Sequence, residues 1–97
     1  MLILRSLARL GPMHGYGIAQ HIQQLSDEVL QVEEGSLYPA LQRMLITGWV
    51  VAEWGQSDNN RRARYYKLTP AGRKQLAAEI TEFERVMAAI GRVIEAA

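Results

Sequence analysis

The C-terminal stretch constrains the fold more than any other part of the chain. Leu76, Ile80, Phe83, Met87, Ile90, Ile94 and Ala97 recur at spacings of 4, 3, 4, 3, 4 and 3. That is the heptad rhythm of a helix offering one continuous apolar seam to another helix, widened on one side by Val86 and Val93. Thr69-Pro70 supplies a start: a capping hydroxyl, then a proline whose missing N–H costs nothing at the first helical position. From Pro70 towards Ala97 such a helix spans roughly 42 Å at 1.5 Å per residue, longer than the body of a domain this small. With 97 residues the chain builds one modest core. Much of the seam therefore has nothing of its own chain to pack on. The spacing predicts a homodimer, with Leu76, Ile80, Phe83, Met87, Ile90 and Ile94 as dimerisation residues.

Ahead of that helix the patterning predicts three shorter ones and a hairpin. "LILRSLARL" carries Ile3, Leu4, Leu7, Ala8 and Leu10 at helical spacing, and Gly11-Pro12 ends it. His14 to Ser26 place Ile18, Ile22 and Leu25 on one face and Gln20, His21 and Gln24 on the other. A third helix occupies Glu33 to Gly48, with Leu37, Ala40, Leu41, Met44 and Leu45 facing inward and Gly48 as its stop. Its start stays open on sequence. Capped by Ser36, it keeps Pro39 in the first turn, where no bond is lost; started at Glu33, it takes Pro39 deep enough to kink it.

Two β-prone runs, Trp49 to Trp54 and Arg64 to Leu68, flank a polar Gly-Asp-Asn segment and predict a hairpin with a long tip. With Leu68 as core anchor, alternation turns Tyr66 inward and sends Tyr65 and Lys67 outward. The order is that of a winged helix-turn-helix: mainly α (α+β), with a two-stranded wing and a long C-terminal helix. Residues 1–69 form its DNA-binding part; residues 70–97 form the dimerisation helix, one compact unit with the first helix.

Composition removes whole classes of function. There is no cysteine, hence no disulfide, thiol nucleophile or thiolate metal site. His14 and His21 stand about 10 Å apart along one helix, too far to share a metal; His14 reads as a structural residue at the helix start. No glycine-rich phosphate loop or Ser-His-Asp set is present, so an enzyme is not expected and no cofactor is called for. "MLIL" meets Arg5 at once, which excludes a secretory or spanning segment here and points to the cytoplasm and away from membranes.

Net charge is only +1, yet four of the eleven Lys and Arg residues fall within seven positions of the hairpin: Arg61, Arg62, Arg64 and Lys67. A neutral body with its positive charge on one finger suits contact with phosphate. The stretches "LILRSLARLGPMHGYGIAQHI", "GSLYPALQRM", "GWVVAEW" and "RARYYKLTPAGRKQL" closely resemble the PadR family of bacterial transcriptional regulators, over nearly the whole chain and in the family's order.

That resemblance implies a homodimer on a roughly palindromic operator in double-stranded DNA, usually a repressor, released by a small-molecule effector or another signal. It places Tyr16 near the DNA backbone, Ser36, Tyr38 and Pro39 at the start of the recognition helix, and Arg62, Arg64 and the Tyr65-Tyr66 pair in the wing. Tyr38, Gln42 and Arg43 lie away from the core; Gln pairs with adenine and Arg with guanine, at about 1–3 kcal/mol of discrimination for each bidentate pair. A winged helix serving protein–protein assembly without specific DNA binding is the alternative.

The chain also departs from the family pattern. Glu33-Glu34 replace a usual Ser-Pro pair and argue against an anion at that helix start. Gly17 stands where an acid is common and loosens the second helix. Ile46 takes an outward position where a charge is expected, which predicts packing against the wing or a partner subunit. Met1 falls almost inside the first helix, implying a short or truncated start. Trp49 and Trp54 bracket the first wing strand, and the last helix offers only Phe83 to an effector lodged between subunits.

Overall fold

The computed structural model describes residues 1–96; the last member of the seam, Ala97, lies outside the described residues. The elements run α1 (Leu2–Leu10), β1 (Met13–His14), α2 (Gly15–Leu25), α3 (Glu34–Thr47), β2 (Val50–Gln56), β3 (Arg62–Leu68) and α4 (Pro70–Glu95). Leu4 and Leu7 of α1, Ile18 and Ile22 of α2, Leu37 and Leu41 of α3, Val50 of β2, Tyr66 and Leu68 of β3 and Leu76 of α4 make one core. These are the inward positions of each period, so the helices and the hairpin enclose a single apolar centre. The architecture is an α+β winged helix with a long C-terminal helix.

The sheet has three strands, not two, in the order β1-β3-β2, all antiparallel. Met13 pairs with Tyr66 and His14 with Tyr65, so the residues just before α2 extend the sheet beyond the hairpin. Strand patterning cannot show itself in so short a run, and the sequence reads it as the start of α2. His14 then caps that helix: its Nδ1 accepts from the Gly17 amide at 3.0 Å, which leaves the ring proton of the neutral form on Nε2. Gly17 is more than a weak point. A Cβ there would meet the Met13 side chain, which packs over the glycine and would have to shift.

The start of α3 is settled in favour of Glu33. The Leu37 amide donates to the Glu33 carbonyl at 2.9 Å, and Ser36 lies inside the first turn rather than capping it. Pro39 therefore stands in the helix proper and has no N–H for the Gly35 carbonyl, which is exposed to water. At the other end Gly48 takes φ 85°; its amide donates to Leu45 and that of Trp49 to Met44, a Schellman closure.

One hydroxyl joins the end of α3 to the start of α4. Thr69 Oγ1 accepts from the Gly72 amide at 3.0 Å and donates to the Gly48 carbonyl at 2.7 Å. Its first turns pack on α1 and the core through Leu76 and partly buried Ile80. Beyond them α4 leaves the body: Phe83, Val86, Met87, Ile90, Val93 and Ile94 are all exposed, the last two at 77% and 75%. The radius of gyration is 15.4 Å, where about 12.5 Å is expected of a compact domain of this length. The accessible surface is 6954 Å², against about 5,600 Å² for a compact monomer of this mass.

Candidate nucleic-acid interface

The groove face of the hairpin is fixed by its register. Val50 pairs with Leu68, Ala52 with Tyr66, Trp54 with Arg64 and Gln56 with Arg62. Because Val50, Tyr66 and Leu68 point into the core, Trp54, Arg62 and Arg64 continue the same face outward past its edge. The other face carries Tyr65, whose ring lies over Gly55 and whose hydroxyl donates to the Gln56 carbonyl at 2.9 Å. This cross-strand tie keeps both strands paired further out than β-propensity predicts. At the tip, Ser57 donates both its amide and its hydroxyl to the Arg61 carbonyl, and Asn60 adopts φ 58°. Asparagine is among the residues best suited to that left-handed position.

Opposite this face stands α2. Tyr16, Gln20, His21 and Gln24 of α2, Tyr38 of α3 and Trp54, Arg61, Arg62 and Arg64 of the wing line one open groove of about 940 Å³. Its charged lining is three arginines against Asp58, so it is positive. The Tyr38 ring rests on Gly15, where a Cβ would approach the phenol to 2.9 Å. Burial raises the Tyr38 phenol above its ordinary value, with the Glu34 carboxylate and Tyr66 adding to the effect. It therefore stays protonated and able to donate at neutral pH. Tyr16 is exposed and stacks near the His14 ring, 6.5 Å between centroids.

Of the residues singled out from sequence, Tyr16, Tyr38, Arg61, Arg62 and Arg64 meet in this groove. Pro39, Gln42 and Arg43 stand exposed on α3 outside its lining. Ser36 lines a separate apolar cleft with Leu2, Leu30 and Val32. Lys67 is on the opposite face of β3, paired with Val51, because alternation separates it from Arg62 and Arg64. Leu76 is held in the chain's own core and Ile80 beside it, so the free part of the seam begins at Phe83. Ile46 is 78% exposed, so it is not buried against the wing. The groove also takes in Trp54, Gln20, His21 and Gln24, which sequence patterning alone does not single out as interface residues. The polar face of α2 was readable, but only β1 shows that it looks at the wing. Among the described residues no cluster of metal-ligating side chains occurs and no helix is long and apolar enough to cross a membrane.

A model of the transcriptional regulator PadR-like family matches residues 3–78. The chain belongs to the PadR-like family. Transcriptional regulator Rv3488 of Mycobacterium tuberculosis is 38% identical over 72 residues, 74% of this chain and 63% of that protein. A 37.1 kDa protein in transposon TN4556 of Streptomyces fradiae is 39% identical over 97 residues, all of this PadR-like chain but only 25% of that protein. The chain thus spans a quarter of the length of one such relative. A transcriptional regulator from Clostridium thermocellum superposes with a TM-score of 0.85 at 29% identity, covering 97% of this chain and 91% of that one. The three-stranded sheet and the extended α4 are accordingly features of a PadR-like fold.

Proposed function

We propose that this PadR-like chain binds double-stranded DNA sequence-specifically as a homodimer and acts as a repressor released by a small molecule or another signal. The observation that carries the reading is the groove in which Tyr16 and Tyr38 face three arginines of the wing. Arginine forks and phenol hydroxyls are donors suited to phosphate oxygens, and such contacts set register on a duplex without reading its sequence. Gln42 and Arg43, exposed on α3, are the side chains offered to base edges. The dimer is supported by the bare seam from Phe83 to Ile94 and by the surplus of exposed surface. Repression and release rest on family membership alone.

A mobility-shift titration on the DNA upstream of the protein's own gene, repeated from 50 to 200 mM salt, tests the reading. Six arginines in a dimer, three from each groove, give a log–log slope of about −5 and a loss near 10³-fold over that range. Failure to bind any duplex at low salt would sink it and leave a protein–protein module as the surviving reading.

A further inference from the structure

The indole of Trp54 is 61% exposed, so the core does not need it. It carries the Arg62 guanidinium instead, whose central carbon lies 4.6 Å from the ring centroid. Register makes the contact deliberate. Trp54 is opposite Arg64 and Gln56 is opposite Arg62, so Trp54 and Arg62 are diagonal neighbours on the groove face. Among the described residues Arg62 belongs to no ion pair, so its charge is not neutralised. A guanidinium lying flat on a ring keeps its in-plane N–H donors free. Stacking also removes rotamers that an arginine on a wing would otherwise lose on binding.

We propose that Trp54 is a positioning residue of the interface, holding Arg62 over the groove with its N–H edge presented to a backbone phosphate. The proposal deepens the DNA-binding reading and rests on it. In the free protein, the Arg62 side-chain protons should resonate upfield from the indole ring current, and Trp54→Leu should abolish that shift while leaving the secondary structure unchanged. On duplex DNA, Trp54→Leu should weaken binding about two- to ten-fold, through the rotamer freedom Arg62 must then lose on binding, and Trp54→Tyr should recover most of the loss. In an Arg62→Ala background the Trp54→Leu change should cost nothing further, since the two act through one contact.

Equal losses in both backgrounds would overturn the proposal, as would unshifted Arg62 protons in a wild type that binds DNA. A wild type that binds no duplex removes the DNA-binding reading and this role with it. The resonance measurement, made without DNA, shows separately whether the pair itself exists.

Discussion

The α-carbon of Gly72 lies directly against the backbone carbonyl of Trp49, so close that a Cβ would collide with the oxygen and come within 2.8 Å of Leu68 Cδ1. Here α4 touches the residue that links α3 to the first wing strand, and the same Trp49 carbonyl accepts from the Thr69 amide, so neither backbone can yield without disturbing Thr69. Gly72→Ala is accordingly expected to destabilise the fold by about 1–3 kcal/mol despite alanine's better helix propensity. Thermal unfolding should show the midpoint falling; an unchanged or raised midpoint contradicts this account of the contact.

At the wing tip the left-handed Asn60 makes an opposite test. Asn60→Gly should be neutral or mildly stabilising, whereas Asn60→Val should cost about 1–2 kcal/mol, because a β-branched side chain is far less tolerated at a left-handed φ than the short polar one of asparagine. Chemical denaturation of the pair, read with DNA affinity, separates the tip's shape from its charge.

His14 caps α2 through Nδ1. Replacing it with Ala should lower stability by about 1 kcal/mol, and Asn or Asp, which also accept from that amide, should restore most of it. Recovery confined to aromatic replacements would assign the effect to the Tyr16 and Tyr65 ring contacts.

For the seam, Ile90→Glu sets a charge in the middle of its bare part. Sedimentation should then report a species near the chain mass of 10.9 kDa, with secondary structure retained in the body. A wild type that already sediments at that mass defeats the dimer.

Within the interface the contacts should divide by type. Arg61→Ala with Arg64→Ala should weaken all duplexes alike and make the salt slope shallower by about 4 in a dimer. Gln42→Ala should instead relax preference at one base position, by about 1–3 kcal/mol. Equal loss of specificity from both variants would contradict the division between the groove and α3.

What was readable beforehand was local. Thr69 and Pro70 announce α4 because cap and proline act within one turn, and Leu68 orients the strand because alternation is a property of neighbours. Contacts between distant segments were not readable. Nothing in Met13-His14 indicates pairing with Tyr65 and Tyr66, and without that strand the face of α2 has no partner. The start of α3 was ambiguous because Glu33 caps with no side-chain bond and Pro39 is tolerated inside the helix. The strands reach Gln56 and Arg62, and Tyr65 ties across Gly55 to the Gln56 carbonyl there, a contact that propensity does not encode. Lys67 is near the arginines in sequence, but alternation alone already puts it on the other face of the strand, where it pairs with Val51.

The two hydrogen bonds of Thr69, one to the Gly48 carbonyl and one from the Gly72 amide, tie the end of α3 to the start of α4. The helix beyond it is a lever of about 39 Å, mounted where α3 ends. A tilt of about 5° there swings the far end of α4 through about 3 Å, given the same rise per residue. In the proposed dimer, a change in the angle between two such helices would reach the two α3 helices through this junction, with no residue of the grooves being touched.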